Sequence, residues 1–354
     1  MTARRLDLVI PGDLATPTGG YAYARRIIAG LSERGWRIQV HALDASFPRP
    51  SSASLREAER LLGRIPAGRT LVIDGLALGA MPALVEAAAP RLDLIALIHH
   101  PLALETGLEP AEAERLRRSE FRALASVRGV ITTSRVTADG LTAYGVSRER
   151  TRVVEPGTDA APLATGSGCE RLNLLCVATL TPRKGHAILF EALSRVRDLS
   201  WRLACVGSAQ RDPAHAQALR ARIGALDLAD RIQLVGQVDA AALANHYQAA
   251  DACVLASHHE GYGMVLAEAL AQGLPILSTT AGAIVHTVPE TAGLLVPPGD
   301  VEAMAAALRR FLTDRQLRER LRAGALRARA SLPSWNAACD AFADAVAHPA
   351  RVSG

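Results

Sequence analysis

Short apolar runs alternate with amphipathic stretches along almost the whole chain, and this pattern constrains the fold more than any other feature. In the first half the runs Leu6–Ile10, Trp36–Ala42, Leu71–Asp74, Leu92–Ile98 and Gly129–Thr132 are separated by helix-like segments. Those segments are Gly20–Arg34, Ser54–Gly63, Leu78–Ala88, Pro110–Val127 and Ser134–Tyr144. Strand, helix, strand is the natural reading, and it predicts a parallel sheet covered by helices. Local chemistry marks some boundaries: Ser54-x-x-Glu57 as a capping box, Gly35 as a helix stop and Pro110 in a first helical turn.

The pattern lapses at residues 156–171, a Gly-, Pro- and Ser-rich stretch, and then restarts. Its second series runs through Leu172–Ala178, Trp201–Val206, Arg231–Val235, Ala252–Leu255, Pro275–Ser278 and Leu294–Val296, ending in helices over roughly 300–347. With 354 residues, the chain is long enough for two cores. The expected architecture is α/β, two facing Rossmann-like domains with a central ligand cleft at the carboxyl ends of the strands. The expected domains are 1–160 and 161–333, followed by a segment at 334–354.

Composition excludes several classes. No run of eighteen apolar residues and no apolar signal core near Met1 is found, so a soluble, cytosolic protein is expected. The net charge of +5 comes from forty basic residues interleaved with thirty-five acids, which is not the block a nucleic-acid binder would show. Arg25-Arg26 and Arg115-x-Arg117-Arg118 are candidates for peripheral contact with the inner face of a membrane, although a solvated helix face is the preferred reading. Cys169, Cys176, Cys205, Cys253 and Cys339 are widely spaced and lack any C-x-x-C or Cys/His grouping, so they read as reduced core thiols with no metal role. Lys184 is the only lysine, in Thr181-Pro-Arg-Lys-Gly185, where a compact flexible cation is the evident difference from arginine.

The strongest chemical signal is Glu260-Gly261-Tyr262-Gly263 between the apolar run 252–255 and the helical segment beginning at Met264. A glycine-rich turn on a helix N-terminus offers backbone N–H groups and the positive end of the helix dipole to a diphosphate. Glu260 lies ahead of the turn and Glu268 more than one turn into the helix, so the two acids flank the phosphates. A carboxylate accepts from two hydroxyls at once, which suits Glu268 to a ribose diol and Glu260 to the hydroxyls of a sugar.

The span Ser257-His-His-Glu260-Gly-Tyr-Gly-Met-Val-Leu-Ala-Glu268-Ala-Leu-Ala-Gln-Gly-Leu-Pro275 resembles the E-x7-E signature of retaining, GT-B fold glycosyltransferases of family GT4, also called group 1. Thr18-Gly19-Gly20, Pro182-Arg183-Lys184-Gly185, Gly293 to Asp300 and Ser334-Trp335 fall in the same order as that family's elements and extend the resemblance over nearly the whole chain. The resemblance implies transfer of a sugar from a nucleotide-diphosphate sugar, most simply a UDP- or GDP-sugar, with no metal and no other cofactor. It implies that Gly19, Gly20, Arg183, Lys184, Gly261, Tyr262, Gly263 and Met264 hold the diphosphate and that Lys184, Glu260 and His99 act at the reacting sugar. It also implies that the helix after Ser334 crosses back to the first domain, with Trp335 as a packing anchor. Two positions depart from the family pattern: Thr179 stands where an arginine is common, and Val285-His286 where a Pro-Glu pair is common.

His99 and His100 end the run 92–98 at a strand edge, and the register leaves either as the histidine that approaches the sugar, with His99 preferred. Glu105-Thr106-Gly107 is a weaker candidate contact for the acceptor, which is a sugar, a lipid or a small metabolite. Two other classes fit the sequence less well. A dinucleotide-dependent oxidoreductase lacks its G-x-G-x-x-G after either first strand, and a nucleotide-sugar-binding protein without transfer activity would not need Lys184, Glu260 and a histidine at 99 or 100 together.

Overall fold

The computed structural model describes residues 4–348. Its contacts divide the described residues into two units: 4–157 together with 333–348, and 158–332.

The first unit is built on a six-stranded parallel sheet of β1 (Arg5–Pro11), β2 (Arg37–Leu43), β3 (Thr70–Asp74), β4 (Asp93–Ile98), β5 (Gly129–Thr132) and β6 (Thr151–Val153). The strands stand in the order β2-β1-β3-β4-β5-β6. Parallel neighbours need crossover connections, and the helices that make them bury both faces, so the central strands read as unbroken apolar runs such as Leu94 to Ile98. The helix Trp335–Ala347 packs on the helix Gly19–Glu33. Gly30 permits the approach, since a β-carbon there would meet Cys339 Sγ at 2.3 Å. Phe342 and Cys339 are buried in this contact.

The second unit has β7 (Leu172–Val177), β8 (Trp201–Val206), β9 (Ile232–Gly236), β10 (Ala252–Leu255), β11 (Ile276–Thr279) and β12 (Gly293–Val296). Its order is β12-β11-β10-β7-β8-β9, the doubly wound arrangement in which the chain starts in the middle and builds outward in both directions. Leu255, Leu277, Phe190 and Phe311 are among the fully buried residues of its core.

Three local expectations are corrected. The helix predicted from Ser54 begins at Ser52, capped by Ser51, whose Oγ accepts from the Ser54 N–H, so Ser54-x-x-Glu57 is not a capping box. The segment Leu78–Ala88 is broken into helices Gly75–Leu78 and Pro82–Ala88, because Pro82 cannot donate and opens a new helix. Ser134–Tyr144 is helical only over Arg135–Gly140 and tightens to 3-10 geometry at Leu141–Tyr144, closed by Gly145 at φ 74°.

Candidate functional site

In each sheet the strand order reverses direction at one point, and loops leaving neighbouring strands there diverge and leave a crevice. In the second unit that point lies between β7 and β10. The loop after β7 carries Arg183 and Lys184, and the loop after β10 carries Glu260 to Gly263.

These two loops are locked together. Gly185 sits at φ 66°, and a β-carbon on it would stand 1.9 Å from the Ala256 carbonyl oxygen, so only glycine lets the loops touch. The His258 N–H donates to the Arg183 carbonyl at 2.8 Å, and Arg183 Nη1 donates to the His259 carbonyl at 2.8 Å. From the other side Thr279 Oγ1 donates to the Ser257 carbonyl at 2.7 Å and the Ala283 N–H to the Glu260 carbonyl at 2.9 Å. Every bond ties a strand-end loop to its neighbour, so the side chains they carry are positioned by the sheet.

Glu260 is the charged centre of this frame and only 6% exposed. Its Oε1 accepts from Lys184 Nζ at 2.6 Å and from Ser257 Oγ at 2.6 Å, while Arg183 Nη1 lies 3.7 Å from Oε2. Burial pushes its carboxyl up, but attraction to Lys184 and Arg183, with the bonds from Lys184 and Ser257, outweighs that and holds it below the usual range. A buried carboxylate of this kind depends on its cations, and those cations are correspondingly fixed in place.

Gly263, at φ 90°, is the N-cap of the helix Met264–Ala271 and supplies no side-chain acceptor to the first turn. Such an end suits an external anion. Gly261, Tyr262 and Met264 are partly buried beside it, and Thr287 Oγ1 fixes the Tyr262 carbonyl at 2.6 Å. Thr287 belongs to the short helix Ile284–Thr287, which also holds Val285 and His286, the pair that departs from the family pattern. Glu268, on the same helix as Met264, accepts from the buried Tyr247 hydroxyl at 3.0 Å.

In the first unit the order reverses between β1 and β3, and here a second group gathers. Gly19 and Gly20 open the helix after β1, capped by Thr18. A β-carbon on Gly20 would lie 3.3 Å from the His99 ring, so the glycine lets the helix start lie against the histidine. His99 follows β4, with the Tyr23 ring edge-on at 5.5 Å and its peptide carbonyl accepting from Thr137 Oγ1 at 3.3 Å. Burial, then neighbouring His100, pulls its pKa down to about 4, which leaves the imidazole neutral at pH 7. His100 turns instead to Glu105, 3.5 Å from its Nε2.

Asp74 is the residue that sequence reasoning passed over. It ends β3, its Oδ1 accepts from the Leu76 N–H, and its Oδ2 lies 3.7 Å from His99 Nε2. Burial pushes its pKa up to about 6, although the Leu76 bond pulls the other way. The signal was an acid closing the apolar run Leu71-Val-Ile. Nearby Glu120, also buried, accepts from the Leu102 N–H at 2.8 Å and is pushed by burial up to about 7. The candidate membrane-facing arginines are engaged in local bonds: Arg115 and Arg117 with Glu112 and Glu114, and Arg25 with the carbonyls of Leu14 and Thr16. Arg26 lies over the Trp335 ring at 5.5 Å.

One grouping is not visible in the sequence spacing. The cysteines do include a Cys/His grouping: Cys176, Cys205 and His186 meet in the second unit, with ligand atoms within 4.8 Å of one another. His186 lies ten residues after Cys176, and the register of β7 on β8 brings Cys205 beside Cys176.

Comparison with known proteins shows two family profiles covering most of the chain. "Glycosyl transferases group 1" matches residues 165–327 and "Glycosyltransferase Family 4" matches residues 17–161. The chain is 30% identical over 295 residues to an MMP alpha-(1->4)-mannosyltransferase of Mycolicibacterium hassiacum, covering 77% of this chain and 69% of that one. Among solved structures it is similar to sucrose-phosphate synthase from Thermosynechococcus elongatus, with a TM-score of 0.82 and 22% identity over 96% of this chain and 98% of that one. It is similar also to Anabaena Alr3699/HepE in complex with UDP and glucose, with a TM-score of 0.78 and 16% identity over 97% and 99% of the two chains.

Proposed function

Because the chain belongs to the group 1, or family 4, glycosyltransferases and has their GT-B fold, we propose that it is a retaining, metal-independent transferase using a nucleotide-diphosphate sugar. The observation that carries this reading is the Lys184–Glu260–Arg183 cluster, a buried carboxylate between two half-buried cations, beside the uncapped start of the Met264–Ala271 helix. Two cations and a helix N-terminus together offset the charge that grows on a departing diphosphate, the task a metal ion performs elsewhere. The N-terminus of the Met264–Ala271 helix and the Gly261–Met264 backbone hold the diphosphate. Glu268, oriented by Tyr247, takes the ribose hydroxyls, and Glu260 the hydroxyls of the transferred sugar.

His99, neutral and placed by Gly20, Tyr23 and Asp74, serves the sugar and acceptor side as hydrogen-bonding group or general acid/base. Asp74 is a positioning residue: at 3.7 Å it is outside hydrogen-bond range and closes on His99 when the site fills. Gly19 and Gly20 give the close backbone approach that the ligand needs. The mannosyltransferase relative and the UDP and glucose held by the Anabaena structure support a hexose on a UDP- or GDP-type donor. The acceptor is a hydroxyl of a sugar, a lipid or a small metabolite, reached by a cytoplasmic enzyme.

Purified protein incubated with UDP-, GDP- and ADP-sugars tests this directly. One donor should raise the melting temperature and be slowly hydrolysed, with undiminished turnover in EDTA. An acceptor screen with that donor should then give a product whose anomeric configuration, read by NMR, matches the donor's. Stabilisation by a nicotinamide cofactor alone would overturn the proposal, and inversion of the anomer would overturn its stereochemical part.

A further inference from the structure

Cys176 on β7 and Cys205 on β8 are register partners in a parallel pair, so their side chains leave the same face of the sheet. His186 opens the helix His186–Ser194 above that face, with Nε2 3.7 Å from Cys176 Sγ. One ligand atom from each residue lies within 4.8 Å of the other two, and all three residues are 1% exposed. His186 Nδ1 is buried with no hydrogen-bond partner. The other ring nitrogen, Nε2, faces the Cys176 sulfur and is the atom the cluster presents as a ligand.

We propose that Cys176, Cys205 and His186 form a buried binding site for a thiophilic d10 cation, Cu(I) or Zn(II). Bonds of about 2.3 Å to sulfur and about 2.0–2.1 Å to nitrogen place ligand atoms about 3.6–4.0 Å apart. The Cys176–His186 separation already falls in that range, and cysteine rotation closes the remainder. Two thiolates and an imidazole form the donor set that soft closed-shell ions select. On binding, both thiols release their protons to solvent and the sulfur and Nε2 lone pairs fill the ion's coordination sphere. Cu(I) is complete with these three ligands, whereas Zn(II) brings a fourth, a water.

The consequence reaches the loop described above. Cys176 lies at the end of β7 and His186 two residues beyond Lys184, so a bound ion clamps both ends of the turn that presents Arg183 and Lys184. The inference does not depend on the glycosyl-transfer reading, since its readouts are binding and coordination.

The test uses the full chain carrying Cys169→Ser, which removes the exposed thiol, kept reduced and free of oxygen. Cu(I) alone and Zn(II) alone are titrated against a competing chelator. One equivalent of at least one ion should bind and raise the melting temperature. X-ray absorption should report two sulfur ligands and one nitrogen, with an added oxygen only in the Zn(II) arm. Cys205→Ser and His186→Gln should each weaken binding at least about 100-fold. Should either variant fail to fold, the absorption spectrum still reads the ligand set with the three residues intact. Failure of both ions to bind, a spectrum lacking two sulfurs, or a Cys176–Cys205 disulfide that survives reduction would overturn the proposal.

Discussion

The two units share an architecture and differ in how they treat charge. Each is a six-stranded parallel sheet with its candidate site loops where the strand order reverses. In the second unit that position is filled by full charges: Lys184 and Arg183 set against a Glu260 whose pKa is depressed. In the first it holds His99, lowered to about 4 and so neutral at pH 7, beside Asp74, whose carboxyl burial raises to about 6; Glu120, on the helix Pro110–Ala125, is raised by burial to about 7. The difference teaches that the fold supplies only the crevice. The partners around each crevice set its charge: Lys184 and Arg183 stand in the loops of the second unit, and a neutral imidazole stands in the first.

Removing the charge should produce the largest effect. Lys184→Ala should depress kcat by about 10³-fold, the scale on which one preorganised stabiliser of developing charge acts. Steady-state kinetics on the identified donor check it, and an unchanged kcat would remove Lys184 from the reaction. Glu268→Ala should act differently, raising the donor KM by about 10- to 100-fold, as loss of one or two charge-assisted hydrogen bonds implies, with little change in kcat. A fall in kcat with KM unchanged would place Glu268 at the reacting sugar instead.

The contrast extends to pH. The folded pKa of Glu120 is raised, so the folded state binds more protons between its unfolded value of about 4.3 and about 7. The stability this contributes is present below about pH 4.3 and lost as pH rises through 7. Glu260, with a lowered pKa, contributes stability above its unfolded value that is lost as pH falls. Glu120→Gln should therefore gain on the wild type as pH is raised from 5 to 8 in urea unfolding, and a constant difference would mean that Glu120 is ionised throughout. The smallest effect is expected at Gly20→Ala, whose β-carbon meets the His99 ring at 3.3 Å. A shift of a few tenths of an ångström should cost a few-fold in kcat with the melting temperature nearly unchanged; full activity would show that His99 tolerates displacement.

What could be read in the sequence was what depends on neighbours along the chain. The apolar runs announced eleven of the strands, and Glu260-Gly-Tyr-Gly followed by a helical segment announced the glycine turn and its helix. β6 was missed because Thr151–Val153 is only three residues long and has no apolar run. Asp74 and the Cys176–His186–Cys205 group were missed for another reason: each is created by a crossover that joins positions remote in sequence. His99 and His100 could not be separated by spacing alone. Packing against Gly20 and Tyr23 distinguishes the first, and a loop ion pair with Glu105 distinguishes the second.

The helix Trp335–Ala347 belongs to the first unit, although the whole second unit is made between it and the rest of that unit. During synthesis, which proceeds from the N-terminus, the second unit has every residue it needs before the first has its last helix. Until then the surface around Gly30 and Tyr23 lacks the helix that covers it, and the earlier half of the polypeptide must wait for the later half to finish. Chain order thus makes completion of the first unit a report that the second has already been translated.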